Sequence, residues 1–170
     1  MTCKLWGMHL SQSEALQKLS ELVKDINIAM LTKVEEDGNL HSRPMGTQQI
    51  EDGNLWFFLK DDSRKATEAV RDPRVNVSYS NSSTWVSVSG TATITTDRRK
   101  IDELWKEELK AWFPGGIAEP HLALMKVRIE EGEYWDVTSR SMVRLFGYLK
   151  AKLTGEAHDG EFAGHEVVRR

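Results

Sequence analysis

Two short basic segments hold the residue types best suited to chemistry in this chain. In the first, Arg43-Pro44-Met45, Arg43 supplies a permanent charge and a planar fork of N–H donors that matches a phosphate. Pro44 has no backbone N–H group to donate, which is typical of an edge strand or a bulge. An exposed arginine on an edge strand accounts for the same pattern, so this segment alone leaves both interpretations open.

The second segment, Asp62-Ser63-Arg64-Lys65, opens a predicted helix. Free backbone N–H groups and the dipole at a helix N-terminus favour an anion, and Ser63 adds a hydroxyl group. The two basic residues oppose that dipole, a conflict that a bound anion would remove. One strand and two tight connections separate this segment from Arg43. We therefore expect both segments to converge on a phosphorylated planar ligand beside the aromatic residues 56–58, the alternative being a capped, solvated helix turn.

The elements that must position these segments are mostly strands. Short apolar or alternating runs bounded by turn residues predict seven strands, over residues 27–34, 40–50, 55–59, 75–79, 85–95, 121–129 and 133–137. Asp-Gly turns at residues 36–39 and 51–54 arrange the first three as an antiparallel meander. Apolar residues at helical spacing predict four helices, over residues 11–23, 63–70, 97–109 and 142–153. Trp56 and Trp105 are predicted to be core residues.

This order of elements predicts a mainly β, α+β fold with peripheral helices: an antiparallel split β-barrel of Greek-key type. A single domain is expected over residues 1–170, with loosely ordered tails at 1–10 and 156–170. No glycine-rich dinucleotide motif follows a strand, and there is no P-loop sequence, which disfavours a parallel nucleotide-binding sheet.

Composition excludes several classes of function. A net charge of −3 argues against a broad nucleic-acid surface. No apolar run is long enough to cross a bilayer, and residues 1–10 do not read as a signal peptide, so we expect no membrane partner and a cytoplasmic location. Cys3 is the only cysteine, and the five histidines lack metal-ligand spacing, so no metal site is predicted.

Several short motifs, each weak evidence alone, occur in an order that resembles a known protein family. They are Arg43-Pro44-Met45, Leu55-Trp56-Phe57-Phe58, Ser63-x-Lys65, Asp72-Pro73-Arg74-Val75, Val86-x-Val88-x-Gly90 and Glu133-Tyr134-Trp135-Asp136. Together they resemble the FMN-binding split-barrel superfamily of the pyridoxamine 5'-phosphate oxidases. The segments 112–116 and 151–156 resemble the general stress protein 26 group within that superfamily.

The resemblance implies one FMN, or alternatively FAD, clamped between the subunits of a homodimer. It implies that Arg43 and Lys65 hold the phosphate with help from Ser63 and Arg64. Two tryptophans have two equally weighted roles, flavin contact and dimer packing. They are Trp112 and Trp85, and Trp85 would come from the second subunit. The complete set of implied cofactor-binding residues is Arg43, Pro44, Met45, Gly46, Thr47, Phe58, Leu59, Ser63, Arg64, Lys65, Trp85, Trp112 and Trp135.

Two departures from the oxidases bear on function. No Arg-x-His motif, which helps to hold pyridoxal phosphate, follows Trp135, and Leu59 replaces a common threonine. True pyridoxamine phosphate oxidation is therefore not expected. The resemblance implies an FMN-dependent oxidoreductase acting on an unidentified small molecule, with no acid, base or nucleophile that the sequence can name. The alternatives are a non-enzymatic flavin-binding or redox-sensing stress protein and, third, a haem-binding split barrel.

Overall fold

A computed structural model of the chain describes residues 12–136 and 141–144. Its centre is a closed barrel of six antiparallel strands, in the order β3-β2-β1-β4-β5-β6, which the pairing of β3 with β6 completes. Strands β1 and β4 are neighbours although they are not consecutive, so the barrel is not a simple meander. This architecture confirms the predicted split barrel. The six strands are β1 (Ile28–Val34), β2 (Leu40–Glu51), β3 (Asn54–Lys60), β4 (Arg74–Ser80), β5 (Thr84–Thr95) and β6 (Leu122–Asp136).

Alternate residues of these strands point into the barrel and form its core. Leu31 on β1 lies opposite Val77 on β4, which in turn lies opposite Val88 on β5, and all three side chains are buried. The helix α1 (Gln12–Val23) adds apolar residues such as Leu19 to the same cluster. The period-2 burial follows from the alternation of apolar residues with Ser and Thr along the strands.

A second apolar cluster covers the outer face of β3 and β6. It includes Trp56, as predicted, together with Phe58 and Ile101 from α3 (Arg98–Leu104). The predicted helix over 97–109 is wrong beyond Leu104, because Trp105 is extended and two 3-10 turns, Glu107–Ala111 and Gly116–Ala118, follow. The physical reason is packing: the partly buried Trp105 ring meets Phe58 edge-on, with centroids 5.6 Å apart.

The predicted turn at residues 130–132 is also wrong, because β6 runs unbroken through it. Ser89 on β5 pairs with Glu131, whereas Gly90 pairs with Ile129, so Glu130 is the extra residue of a β-bulge. A Cβ atom on Gly90 would lie 2.1 Å from the carbonyl oxygen of Arg128. Glycine at position 90 therefore allows the two strands to approach closely at the bulge.

The helix predicted over 142–153 is wrong at its start. The strand β7 (Ser141–Arg144) pairs with the end of β6 and adds a seventh strand to the sheet. Backbone pairing with the β6 edge outweighs the local helical spacing of apolar residues here. Residues 145–153, like the predicted tails 1–10 and 156–170, lie outside the described part of the chain. Within the described part, the helices are too short and too polar to span a membrane.

Candidate functional site

Strand β2 is an edge over its first half, where the predicted site residues lie. Strand β3 pairs only with residues 47–51 of β2, while β1 pairs with residues 40–46. Pro44 falls in the part that has one strand neighbour, where its missing N–H group breaks no ladder hydrogen bond with β3. The antiparallel register places Arg43 opposite the buried Leu31, so the Arg43 side chain belongs to the inward-facing row of β2.

Helix α2 (Arg64–Arg71) packs beside this row and begins at a side-chain cap. The Ser63 hydroxyl group accepts a hydrogen bond from the Ala66 amide at 3.4 Å and donates one to the Lys60 carbonyl at 2.5 Å. The N-cap fixes where the helix starts and so where its first two residues, Arg64 and Lys65, project. The Ser63 hydroxyl is therefore engaged in capping.

Six charged side chains meet between α2, β1 and β2, and we call them the basic cluster. Arg43 donates from Nη1 to Glu68 Oε2 at 3.1 Å and from Nη2 to Glu35 Oε1. Arg64 donates from Nε to Glu68 Oε1 at 2.5 Å and from Nη2 to Glu35 Oε2 at 2.9 Å. The complete cluster consists of Lys33, Glu35, Arg43, Arg64, Lys65 and Glu68.

Lys65 is the member of the cluster with the least adequate partner. Its Nζ atom lies 3.6 Å from the thioether sulfur of Met45, which is a weak acceptor, and it has no carboxylate partner within residues 12–136 and 141–144. Burial, and then repulsion from Arg43, lower the pKa of Lys65 below its ordinary value. An anion placed at Nζ would offset both effects, because it stabilises the ammonium form.

Lys33 is buried beneath α2. It is only 3% exposed, its Nζ has no hydrogen-bond partner in the described structure, and the nearest Glu68 oxygen is 4.0 Å away. Burial lowers the pKa of Lys33, and the attraction of Glu68 opposes this only in part. Burial also disfavours the ionised Glu68, but hydrogen bonds from Arg64 and Arg43 outweigh it and leave the pKa of Glu68 below its usual value.

The charges of the basic cluster favour a phosphate. Counted by residue type, four basic and two acidic side chains give the cluster a formal charge of +2, which matches a phosphate monoester dianion. Sequence reasoning missed Lys33, Glu35 and Glu68. Two features of the sequence could have indicated them. The hairpin register sets Lys33 opposite His41 on β2, close to Arg43, and the i,i+4 spacing of Arg64 and Glu68 favours an ion pair between them.

The other predicted residues of β2 and β3 lie on two different faces. The Thr47 hydroxyl is 2.9 Å from the Tyr79 phenol inside the barrel, and Leu59 is also buried there. Phe58 faces the other way, into the outer cluster, where its ring lies 6.2 Å from that of Phe113. Gly46 and Pro44 fall on the outer side of β2, alternate to Met45.

Two of the predicted tryptophans form a pair on the outer surface. Trp85 on β5 lies directly opposite Trp135 on β6, and they are 43% and 36% exposed. Ile28 and Met30 on the outer face of β1 are also exposed. Trp112 lies elsewhere, at the end of a 3-10 turn, and is 74% exposed. Trp85 and Trp135 are therefore cross-strand neighbours, whereas Trp112 lies in the connection between α3 and β6.

One further group of potential metal ligands lies outside the basic cluster. Asp61, Asp62 and His121 place ligand atoms within 4.8 Å of one another, and all three are solvent-accessible. His121 Nδ1 is already 2.9 Å from Asp61 Oδ1, so a hydrogen bond between these side chains accounts for the grouping. Sequence spacing could not reveal it, because 60 residues separate the histidine from the first aspartate.

Comparison with known proteins agrees with the fold of this chain. The family described as pyridoxamine 5'-phosphate oxidase like matches residues 14–159. Protein bli-3 of Neurospora crassa is 31% identical over 139 residues, which span 75% of this chain and 66%, just under two thirds, of that protein. A general stress FMN/FAD binding protein of Xanthomonas citri has a TM-score of 0.63 at 25% identity, covering 93% of this chain and 99% of that one.

A second solved structure shows the shared fold at lower identity. It is a protein of Clostridium acetobutylicum related to general stress protein 26, with a TM-score of 0.68 at 18% identity. The superposition covers 79% of this chain and 95% of that one. The split barrel is therefore common to chains of quite different sequence.

Proposed function

Because this chain belongs to the pyridoxamine 5'-phosphate oxidase-like family, whose fold is of the flavin-binding type, we propose that it binds FMN through the basic cluster. The observation that carries this proposal is Lys65: a half-buried ammonium group beside Arg43 with only a thioether for a partner. The likeness to a general stress FMN/FAD binding protein at 25% identity supports a flavin as the phosphorylated ligand.

In this proposal the phosphate is held by Arg43 and Lys65. Arg43 contributes N–H donors that its carboxylate partners leave free, and Lys65 contributes an unpaired ammonium group. The first turn of α2 adds backbone N–H groups without intrahelical partners. Residues 45–47 follow the edge portion of β2, and their backbone would line the flavin ring.

We further propose that a second copy of the chain completes the site. Trp85 on β5 and Trp135 on β6, with Ile28 and Met30 on β1, are exposed apolar residues on the outer face of the sheet, where β4 lies between β1 and β5. Exposed patches of large apolar residues mark interaction surfaces, and aromatic residues are enriched at the centres of interfaces. A homodimer that covers this face would place the partner's tryptophans beside the flavin.

The bound flavin would supply the redox chemistry, and the protein would bind and orient it as an FMN-dependent oxidoreductase.

Tyr79 lies inside the barrel, and burial raises the pKa of its phenol to about 12, although the hydrogen bond to Thr47 opposes this. Its phenol therefore stays protonated at neutral pH and can donate a hydrogen bond but not act as a base.

A non-enzymatic flavin-binding or redox-sensing protein is the second candidate. It is favoured by the residues after Trp135, where no Arg-x-His motif for a phosphorylated substrate occurs. The two functions differ in turnover. An oxidoreductase oxidises a reduced nicotinamide in the presence of an electron acceptor faster than free FMN does, whereas a binding protein does not.

The spectrum and mass of the co-purified ligand test the proposal. We expect the purified protein to show flavin absorption bands in the visible region, and the ligand released by denaturation to have the mass of FMN. The mass of FAD would change the identity of the cofactor but keep a flavin. A colourless protein that also fails to bind added FMN would overturn the proposal.

A further inference from the structure

The two arginines of the basic cluster are joined into a ring by two carboxylates. Glu68 accepts from Arg43 at 3.1 Å and from Arg64 at 2.5 Å. Glu35 accepts from Arg64 at 2.9 Å and also from Arg43. Each carboxylate therefore contacts both guanidinium groups. Neither arginine can rotate without breaking hydrogen bonds to both acids.

This ring leaves Arg43 able to bind an anion. A guanidinium group carries five N–H donors. Glu68 takes one from Nη1 and Glu35 takes one from Nη2, and His41 Nδ1 also lies 3.2 Å from Nη2. The Nε–H and the second Nη1–H of Arg43 remain for another acceptor. The carboxylates thus fix the plane of the guanidinium group and leave Arg43 two single N–H donors for a phosphate.

Burial makes the ring stiff. Three members of the ring are shielded from solvent: the side chains of Glu68, Glu35 and Arg43 are 9%, 13% and 19% exposed. Arg64 is 69% exposed, and Lys33 Nζ lies 4.0 Å from Glu68 Oε2. In such a poorly solvated place a charge-assisted hydrogen bond is strong and a charge without a partner is costly. The geometry of Arg43 is therefore set when the chain folds, before any ligand arrives.

We propose that Glu68 and Glu35 are positioning residues for phosphate binding, which orient Arg43 although their own charges repel a phosphate. The inference rests on the proposed FMN site. Two physical effects oppose each other here. Coulomb repulsion alone predicts that removing a negative charge tightens FMN binding, whereas loss of orientation predicts that it weakens FMN binding. The structure favours orientation, because both carboxylates contact Arg43 directly.

The test compares FMN with riboflavin, which lacks the phosphate, on Glu68→Gln. We expect FMN to bind roughly tenfold more weakly, because the glutamine keeps one acceptor oxygen for the two arginines and loses the negative charge that strengthens both hydrogen bonds, and riboflavin affinity to stay unchanged. The matched control is Glu36→Gln, which removes the same charge from the neighbouring loop, where the exposed Glu36 pairs with Arg71. That variant should leave FMN affinity unchanged or slightly tighter.

Any other result would overturn either the positioning role of Glu68 or the proposed FMN site. Unchanged or tighter FMN binding by Glu68→Gln would show that repulsion dominates and would overturn the inference. Equal losses for FMN and riboflavin would show a merely structural role and would also overturn it. A wild-type protein that binds no FMN would overturn the proposed function itself. If Glu68→Gln does not fold, Glu35→Gln carries the same test from the loop after β1.

Discussion

Replacement of Lys65 by methionine should weaken FMN binding by about tenfold to a hundredfold while leaving the fold intact. Among the described residues, the ammonium group of Lys65 contacts the sulfur of Met45 and no carboxylate, so its removal breaks no ion pair in that part of the chain. The lost interaction with phosphate is a charge-assisted hydrogen bond, worth roughly 1.5–3 kcal/mol, and each 1.4 kcal/mol is about a tenfold change in affinity. Methionine replaces the half-buried methylene chain of Lys65 with an unbranched side chain of similar shape, so the packing around it is kept.

The same residue predicts how FMN affinity depends on pH. The pKa of Lys65 is lowered by burial and then by Arg43, and an anion binds to the protonated form. As pH rises through this lowered pKa, binding has to take up a proton, so FMN affinity falls. The fall should begin below pH 10.5, the ordinary value for lysine. Lys65→Arg keeps its charge throughout this range and should keep its affinity.

Fluorescence titration of FMN between neutral pH and pH 10.5 measures both effects. Ionisation of the flavin itself affects the wild-type protein and Lys65→Arg equally, so the difference between them reports on Lys65. The reasoning is refuted if the two proteins lose affinity in parallel. It is also refuted if Lys65→Met binds FMN as tightly as the wild-type protein does.

Three further predictions follow from other parts of the structure. Lys33 is buried and its pKa is lowered, so between that pKa and 10.5 the unfolded chain binds a proton that the folded chain does not. The free energy of unfolding of the wild-type protein should therefore rise with pH in this range. Urea denaturation of Lys33→Met should lack this rise. Gly90→Ala should cost more than about 2 kcal/mol of stability by the same measurement, because its Cβ would meet the Arg128 carbonyl oxygen. Trp85→Glu with Trp135→Glu should convert the proposed dimer into monomers in light scattering, because it places like charges on the exposed apolar face that the dimer would bury.

Matched controls separate these effects from general damage. Lys106→Met removes an exposed lysine and should keep the alkaline rise in stability. Ser89→Ala changes the neighbour of Gly90 on the exposed side of β5 and should cost less than about 0.5 kcal/mol. Val70→Glu adds a charge at an exposed position of α2 and should leave a dimer intact. A dimer that survives both tryptophan substitutions would place the interface elsewhere.

Much of the barrel could be predicted because its signals are local. The Asp-Gly turns set the hairpin of β2 and β3, and the alternation of Val with Ser along β5 identified its buried face. The short helical run up to Val70 predicts a cap at Asp62 or Ser63, and the structure shows that Ser63 is the cap. Such features depend on a few neighbouring residues, so the sequence shows them directly.

The features that could not be predicted depend on partners distant in the chain. Glu130 and Gly132 have the composition of a turn, and only the pairing of β5 with β6 makes that segment a bulge. The segment Ser141–Arg144 has apolar residues at helical spacing, and only the exposed edge of β6 makes it a strand. Glu68 has the pattern of a solvated helix residue until α2 packs on β2 beside Arg43.

The most direct test of the central claim is the FMN affinity of the double variant Arg43→Ala with Lys65→Ala. As the control, Arg128→Ala with Lys110→Ala removes two cations that are exposed and pair with glutamates outside the basic cluster. The account predicts that the first double variant binds FMN at least about tenfold more weakly and keeps its riboflavin affinity, while the control binds both as the wild-type protein does. Equal FMN affinity in the two double variants would contradict the claim that the basic cluster holds the flavin phosphate.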